Sequence, residues 1–160
     1  KLDGQSTNPT MYKNYLDNQF ENYTINMSQR VGITGTNTYE NKLTIKKFIF
    51  RIAKEQPDTE IVSLGNLQGA DKYIKKYALE SGLAYKEVNL PHTLHNLYSL
   101  MPQAFYDKPY APKNFYVRTK IFGTYIDSCV LFDDSNLTNK ATKHLKKFLD
   151  TTGKRVILVN

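Results

Sequence analysis

Short runs of strand-forming residues alternate along this chain with stretches whose apolar residues recur at helical spacing. The runs "RVGIT" (30–34) and "EIVSL" (60–64) are apolar and bounded by turn residues, as buried strands are. Between them, one face of a helix is marked by Ile45, Phe48, Ile49, Ile52 and Ala53. The alternation predicts an α/β fold, because helical connections allow successive strands to run parallel and cover the sheet on both faces.

The same pattern continues to the C-terminus. A second helix is marked by Ala70, Ile74, Tyr77 and Ala78 and ends at Gly82. Later helices are predicted over residues 113–125 and around Ala141, Leu145, Phe148 and Leu149. The remaining strands are "AYKEV" (84–88), which is more polar and suits a sheet edge, "SCVLF" (128–132) and "KRVILV" (154–159). We therefore predict a mostly parallel five-stranded sheet.

Two segments depart from this pattern. Residues 89–112 contain four prolines, and we expect a short helix at about residues 94–105 within this long connection. Residues 1–26 are rich in Asn, Thr and Tyr without clear periodicity, and they predict an extension that is flexible or draped on the body. Residues 27–160 then form one domain, a size at which roughly 70% of the unfolded surface is buried.

Composition and charge indicate the cellular compartment and the class of binding partner that the chain suits. The net charge of +7 suits an anionic partner such as a nucleotide or nucleic acid, although a solvated basic surface is the alternative. The single cysteine, Cys129, excludes an internal disulfide and fits a reducing compartment, so we expect a cytoplasmic protein. The apolar runs are too short to span a membrane, and no signal-peptide pattern is visible. Homo-oligomerisation is left open.

Loops that follow strands are where an open parallel sheet binds ligands. "GTNTYE" (35–40) and "GNLQGAD" (65–71) carry glycines after a strand and lead into helices, an arrangement that presents backbone N–H groups to an anion. Neither loop has the spacing of a dinucleotide-binding or P-loop motif, and tight turns alone would also explain Gly35 and Gly69. We predict no cofactor.

Two charged residues near these loops have alternative interpretations. Asp71 lies in the first turn of the second helix, where a carboxylate is favoured by the helix dipole whatever its function. Arg118 lies on a stripe with Phe115, Phe122 and Tyr125, so a charge falls among apolar residues. It either pairs with an acid such as Asp71 or Asp133 or meets a ligand phosphate.

The loop after the fourth strand carries further candidates. Asp133 could assist hydrolysis or take ribose hydroxyls, and Ser135 is a candidate ligand-binding residue. The alternative is a turn followed by a helix N-cap at Ser135 or Asn136. His92 and His95 are three apart but have no evident third ligand, so we predict no metal site. Residues 106–120 combine cationic and aromatic residues that could stack on bases or form a packed cluster.

Three stretches together resemble a known family. They are "VGITGTNTYE", "IVSLGNLQGADKYIKKYALESG" and "KPYAPKNFYVRTKIFGTYIDSCVLFDDSN". In this order they resemble the SLOG superfamily of Rossmann-like nucleotide-binding proteins, and in particular the YspA-like branch, which includes bacteriophage-encoded versions. The likeness runs from about Arg30 to Asn160, and its most specific part is similar to the family's "GGxxGAD" turn. The superfamily includes DprA and the Lonely Guy phosphoribohydrolases, so the resemblance implies a nucleotide-like ligand in a bacterial or phage-infected cell.

The resemblance also implies site residues. Gly35 and Thr36 match the small residues after the first strand, and Asn37 stands where the family often has Arg. The phosphate-facing turn is matched by Gly65, Gly69, Ala70 and Asp71. Arg118 matches the arginine of the family's "RN" helix. Leu64 replaces the first glycine of the usual pair, and the Lonely Guy motif PGGxGTxxE is absent.

These observations lead to one functional hypothesis and two alternatives. We predict a three-layer α/β domain of strand order 3-2-1-4-5 that binds a nucleotide or nucleotide-derived ligand at the carboxyl edge of the sheet. If it is an enzyme, we expect hydrolysis of an N-glycosidic bond involving Asp71 or Asp133. The alternatives are DprA-like binding of single-stranded nucleic acid, and a non-catalytic, phage-associated structural or interaction protein.

Overall fold

The fold is built on a five-stranded, all-parallel sheet. A computed structural model describes residues 29–160, so the predicted extension at residues 1–26 lies outside the described residues. The strands are β1 (Arg30–Gly35), β2 (Glu60–Ser63), β3 (Ala84–Glu87), β4 (Ser128–Phe132) and β5 (Arg155–Val159). Their order is β3-β2-β1-β4-β5. The predicted fold class and strand order are therefore confirmed, and the domain is Rossmann-like.

Helices cover both faces of the sheet and form the outer layers. They are α1 (Lys42–Glu55), α2 (Ala70–Glu80), α3 (Asn114–Tyr125) and α4 (Lys140–Thr151). Ile49 and Ile74, from α1 and α2, belong to one buried core. Phe122 and Leu145, from α3 and α4, belong to the other. The two cores confirm the predicted three-layer arrangement.

Strand β4 shows why the central strands read as continuous apolar runs. All its residues are buried. Val130 and Phe132 pack into the core beneath α1 and α2, whereas Cys129 and Leu131 pack into the core beneath α3 and α4. A strand that is buried on both faces has no position for a solvent-facing polar residue, so its sequence does not alternate.

The long connection after β3 differs from the prediction. The helix expected at residues 94–105 is wrong, since only a 3₁₀ turn forms there, at Gln103–Phe105. The Asn96 side chain accepts from the Tyr98 N–H at 2.8 Å, and Ser99 Oγ accepts from the Asn96 N–H at 3.1 Å, so side chains take backbone groups that a helix would use. The connection instead closes on the edge strand, where the Glu87 N–H donates to the Tyr98 carbonyl at 2.9 Å.

The strand order reverses beside β1, and this reversal lies at the centre of the carboxyl edge of the sheet. The chain leaves β1 toward β2 on one side, and returns after β3 to β4 on the other side of β1. In such a sheet the loops after the strands diverge at this reversal and leave a crevice between them.

No helix within residues 29–160 has the length and apolar character needed to cross a membrane.

Candidate functional site

A crevice lies at the predicted reversal and consists of two adjoining cavities. The first, here called the loop pocket, has a volume of about 370 Å³ and lies between residues 35–37, residues 65–68 and the connection at residues 90–93. The second, here called the aromatic pocket, has a volume of about 340 Å³ and lies between α3 and α4. Both are lined by Gly35, Asn66, Phe115, Arg118 and Ala141. The shared lining makes them two halves of one site.

Two glycines allow the loops of this site to pack against each other. A side chain at Gly35 would overlap the Phe132 carbonyl oxygen and come within 2.8 Å of the Ala70 Cβ. Gly69 has a φ of 69°, and a side chain there would overlap the backbone of Thr36 and Asn37. These glycines therefore serve close packing beneath the loop pocket.

Most backbone donors at the base of the loop pocket are already engaged. The Thr36 N–H donates to the Phe132 carbonyl at 3.0 Å. The Gly65 N–H donates to Ser63 Oγ at 3.1 Å, and the Asn66 N–H donates to Asp71 at 3.1 Å. Among the described residues, the N–H groups of Asn37, Leu67 and Gln68 have no such partner, and all three residues line the pocket and are exposed. An anion in this pocket would therefore meet Asn37 and residues 67–68.

Arg118 is the buried cation of the site. Its side chain is only 5% exposed and lines both pockets. Nη1 donates to the Leu64 carbonyl and to Asn66 Oδ1, each at 3.1 Å, whereas Nε has no hydrogen-bond partner within the described part of the chain. Burial lowers the pKa of Arg118, and the nearby Asp71 partly offsets this. Of the two alternatives for Arg118, the direct ion pair with Asp71 or Asp133 does not form, and Asn66 instead lies between Arg118 and Asp71.

Asp71 lies beneath the loop pocket and does not line it. The carboxylate accepts from Thr34 Oγ1 at 2.6 Å and from the Asn66 N–H at 3.1 Å. Complete burial raises its pKa from 3.8 to about 6, against the lowering effect of these two hydrogen bonds and of Arg118. Asp71 ties loop residue Asn66 to the end of β1, which goes beyond the helix-opening role that its position alone indicates.

The loop after β4 is held by its own side chains. Asp133 accepts from the Ser135 Oγ at 2.6 Å and from the Leu137 N–H at 2.7 Å, and neither Asp133 nor Ser135 lines the two pockets. The N-cap of α4 is Asn139, whose side chain accepts from the N–H groups of Ala141 and Thr142. The alternative interpretation of this loop, a helix N-cap at Ser135 or Asn136, is therefore wrong. Helix α4 begins later and brings its first turn to the crevice.

The aromatic pocket has an apolar wall and a cationic rim. Tyr110 packs edge-on against Phe115 with ring centroids 6.2 Å apart, and Tyr116 packs edge-on against His144 at 4.9 Å. Lys140, at the start of α4, also lines this pocket. Within residues 106–120, Tyr106 thus belongs to a buried core, whereas Tyr110, Phe115 and Tyr116 line the cavity.

The predicted site residues fall into three places. The crevice is lined by Gly35, Thr36, Asn37, Gly65 and Arg118. Gly69, Ala70 and Asp71 support the loop pocket from below, and Asp133 and Ser135 stand apart from it. Sequence reasoning missed Asn66, Lys140 and His144. Asn66 lies inside the predicted loop at residues 65–71, so the sequence offers a signal for it. Lys140 and His144 resemble ordinary residues of a surface helix, so the sequence offers none for them.

Two histidines considered for metal binding are held by other contacts. His92 packs against Tyr110 with ring centroids 5.0 Å apart. A ring nitrogen of His95 lies 3.1 Å from the Met101 carbonyl oxygen. No group of three or more His, Cys, Asp or Glu residues that could hold a metal ion is found in residues 29–160.

Comparison with known proteins adds no family assignment. No protein-family model matches the chain. A search of curated proteins also finds no match. The resemblance to the SLOG superfamily stays a prediction, and a functional proposal must rest on the geometry of the two pockets.

Proposed function

We propose that the crevice binds a nucleotide or nucleotide-derived anion, with phosphate in the loop pocket and the base in the aromatic pocket. The observation that carries the proposal is Arg118, a buried guanidinium that lines both pockets and has an unpartnered Nε. A buried polar atom without a partner is rare in folded proteins and is costly. An anion bound beside Arg118 would offset the cost of burying this charge.

The loop pocket has donors that suit phosphate. The N–H groups of Leu67 and Gln68 stand in an exposed turn between Gly65 and Gly69, both of which have positive φ angles. Successive backbone N–H groups in such turns form anion-binding concavities. With Arg118 close by, the pocket would hold phosphate through charge-assisted hydrogen bonds.

The aromatic pocket has surfaces that suit a planar base. Tyr116 is 63% exposed and Tyr110 is 56% exposed, so both keep ring surface available although they line the cavity. Stacking of a base on an aromatic side chain contributes about 1–3 kcal/mol. Lys140 adds a positive charge at the rim of the same pocket.

A thermal-shift series with AMP, ADP and ADP-ribose tests the proposal. A ligand that binds only the folded state stabilises it by RT ln(1 + [L]/Kd), so Tm rises with the logarithm of the ligand concentration over Kd. We expect at least one probe to raise Tm, and we expect Tyr116→Ala and Lys140→Ala to weaken the affinity about tenfold. Val117→Ala and Lys147→Ala are matched controls, because these exposed residues lie on the same helices and do not line either pocket.

Three outcomes distinguish the candidate functions. Binding that the two crevice variants weaken and the two controls leave unchanged supports the proposal. Affinity for a single-stranded oligonucleotide that falls steeply with salt, without mononucleotide binding, favours the nucleic-acid alternative. The absence of any shift with every probe overturns the proposal and favours the interaction protein.

Hydrolysis of an N-glycosidic bond stays a prediction. Both carboxylates expected to assist it are buried, and their oxygens accept hydrogen bonds from their own surroundings. A general base must lie within about 3 Å of the water it activates, directly or through one further water. Base release from AMP, followed by chromatography, would establish the activity if Asp71→Asn or Asp133→Asn abolishes it.

A further inference from the structure

A chain of hydrogen bonds connects the end of β1 with the buried cation of the crevice. Thr34 Oγ1 donates to Asp71 Oδ1 at 2.6 Å, and the Asn66 N–H donates to Asp71 Oδ2 at 3.1 Å. Asn66 Oδ1 in turn accepts from Arg118 Nη1 at 3.1 Å. Asn66 thus contacts the buried acid through its backbone and the buried cation through its side chain.

Each donor in this chain of hydrogen bonds requires an acceptor atom on its partner. A backbone N–H can only donate, so Oδ2 of Asp71 has to be an acceptor for the bond from Asn66 to exist. The ionised carboxylate meets this requirement at both oxygens. A proton on Oδ2 would face the Asn66 N–H, and that bond would be lost, whereas a proton on Oδ1 would leave Oδ2 a neutral carbonyl oxygen, which accepts more weakly than a carboxylate oxygen.

The surroundings of Asp71 contain several other charged or titratable groups. Arg118 faces it from α3 and favours the ionised form, whereas Glu87 of β3 disfavours it. Tyr85 of β3 and Cys129 of β4 are also close enough for the negative charge of Asp71 to raise their pKa values, to which burial contributes more. Arg118 is therefore the positive charge that opposes the cost of ionising Asp71 in the core.

We propose that Asp71 is a positioning residue whose ionised carboxylate holds Asn66 and, through it, Arg118 in the arrangement that binds anions. Protonation of Asp71 weakens or breaks its hydrogen bond with the Asn66 N–H and so loosens the turn at residues 65–68. The arrangement of the crevice consequently depends on pH even when no ligand is present. The effect of this pH dependence on the affinity for a ligand rests on the function proposed above.

Ligand-free NMR tests this role directly. The signals of the Asn66 amide and of Arg118 Nε–H are followed from pH 4.5 to pH 8 in the protein and in Asp71→Asn. We expect both signals to move together in the unsubstituted protein with a midpoint near pH 6, the value to which burial raises the pKa of Asp71. In Asp71→Asn we expect that step to disappear.

Matched variants separate a local role from general unfolding. Asp133→Asn removes another buried carboxylate at the same sheet edge, which holds its own loop and does not contact Asn66. We expect it to leave the titration of the Asn66 and Arg118 signals unchanged. If Asp71→Asn does not fold, Thr34→Val serves instead: loss of the Thr34 hydroxyl removes a bond to the ionised form, so the midpoint should rise.

The failure of this inference is distinguishable from the failure of the proposed function. Asn66 and Arg118 signals that stay constant with pH, or that titrate unchanged in Asp71→Asn, overturn the positioning role whatever the protein binds. ADP-ribose is the binding probe, since its bridging diphosphate lacks the phosphomonoester ionisation near pH 6 that would mask the effect. If the signals titrate as expected and no probe in the nucleotide series binds at either pH 5 or pH 7.5, the proposed function fails while the positioning role stands. Weaker ADP-ribose binding at pH 5 than at pH 7.5, absent in Asp71→Asn, supports both.

Discussion

At the scale of single residues, the site is organised by two opposite charges that do not touch. Asp71 and Arg118 are 1% and 5% exposed, and Asn66 lies between them. An intervening amide gives each charge a hydrogen bond but less Coulomb attraction than direct contact would. Part of the cost of burying both charges therefore stays uncompensated, and charged groups perturbed in this way cluster at functional sites.

The first prediction concerns the dependence of stability on pH. Because burial raises the pKa of Asp71 from 3.8 to about 6, the folded state binds its proton more tightly than the unfolded state. The contribution of Asp71 to the free energy of unfolding is therefore greatest below pH 4 and is lost as the pH rises to about 6, a change on the order of 3 kcal/mol. Urea unfolding at several pH values measures this slope. Asp71→Asn should flatten it, and an equal slope in the variant would contradict the assignment.

The second prediction compares two glycines with positive φ angles. A side chain at Gly69 would overlap the backbone of residues 36–37, whereas at Gly82 it would meet no atom within 4 Å. Gly82→Ala should cost about 1 kcal/mol for its left-handed conformation alone. Gly69→Ala should cost about 1–3 kcal/mol more, since steric overlap at a packed site typically adds that much. Chemical denaturation measures both, and equal losses would show that loop packing at Gly69 is unimportant.

At the scale of helices and strands, the spacing of apolar residues predicts where the helices form. It does not reveal where a side chain binds nearby backbone groups and prevents a helix. Helix α1 buries Ile45, Phe48, Ile49 and Ile52, as its spacing indicates. The connection after β3 was misread because Asn96 and Ser99 bind the backbone, an effect that no apolar pattern reveals. The buried arginine of α3 was visible as a charge on an apolar stripe. Its contact with Asn66 was not, since the two residues are joined only by the fold.

The third prediction concerns the start of α4. Asn139 caps this helix by accepting from two backbone N–H groups, at 3.0 and 3.2 Å. Asn139→Ala should therefore destabilise the protein by about 1 kcal/mol. Asn41→Ala at the start of α1 is the comparison, because Asn41 accepts one bond at 3.3 Å and its loss should matter less. Thermal unfolding of both variants provides the measurement, and a larger loss for Asn41→Ala would contradict the cap assignment.

At the scale of the whole molecule, the parallel sheet brings distant segments to one edge. Residues 35–37, residues 65–68, Arg118 and Ala141 are far apart in the chain and meet only because β1 lies between β2 and β4. The net charge of +7 favours an anion anywhere on the surface. Only the crevice combines open backbone N–H groups, a buried guanidinium and aromatic walls among the described residues.

The most direct test of this account is amide NMR mapping during separate titrations with AMP, ADP and ADP-ribose. We predict that the largest shifts occur at Leu67 and Gln68 and at residues lining the aromatic pocket, such as Tyr116 and Lys140. Residues on the basic surface of α4, such as Lys143 and Lys147, should shift little, because they do not line the crevice. Saturable shifts confined to the crevice would support nucleotide binding there. Shifts centred on the lysines of α4, or no saturable shift with any of the three ligands, would contradict it.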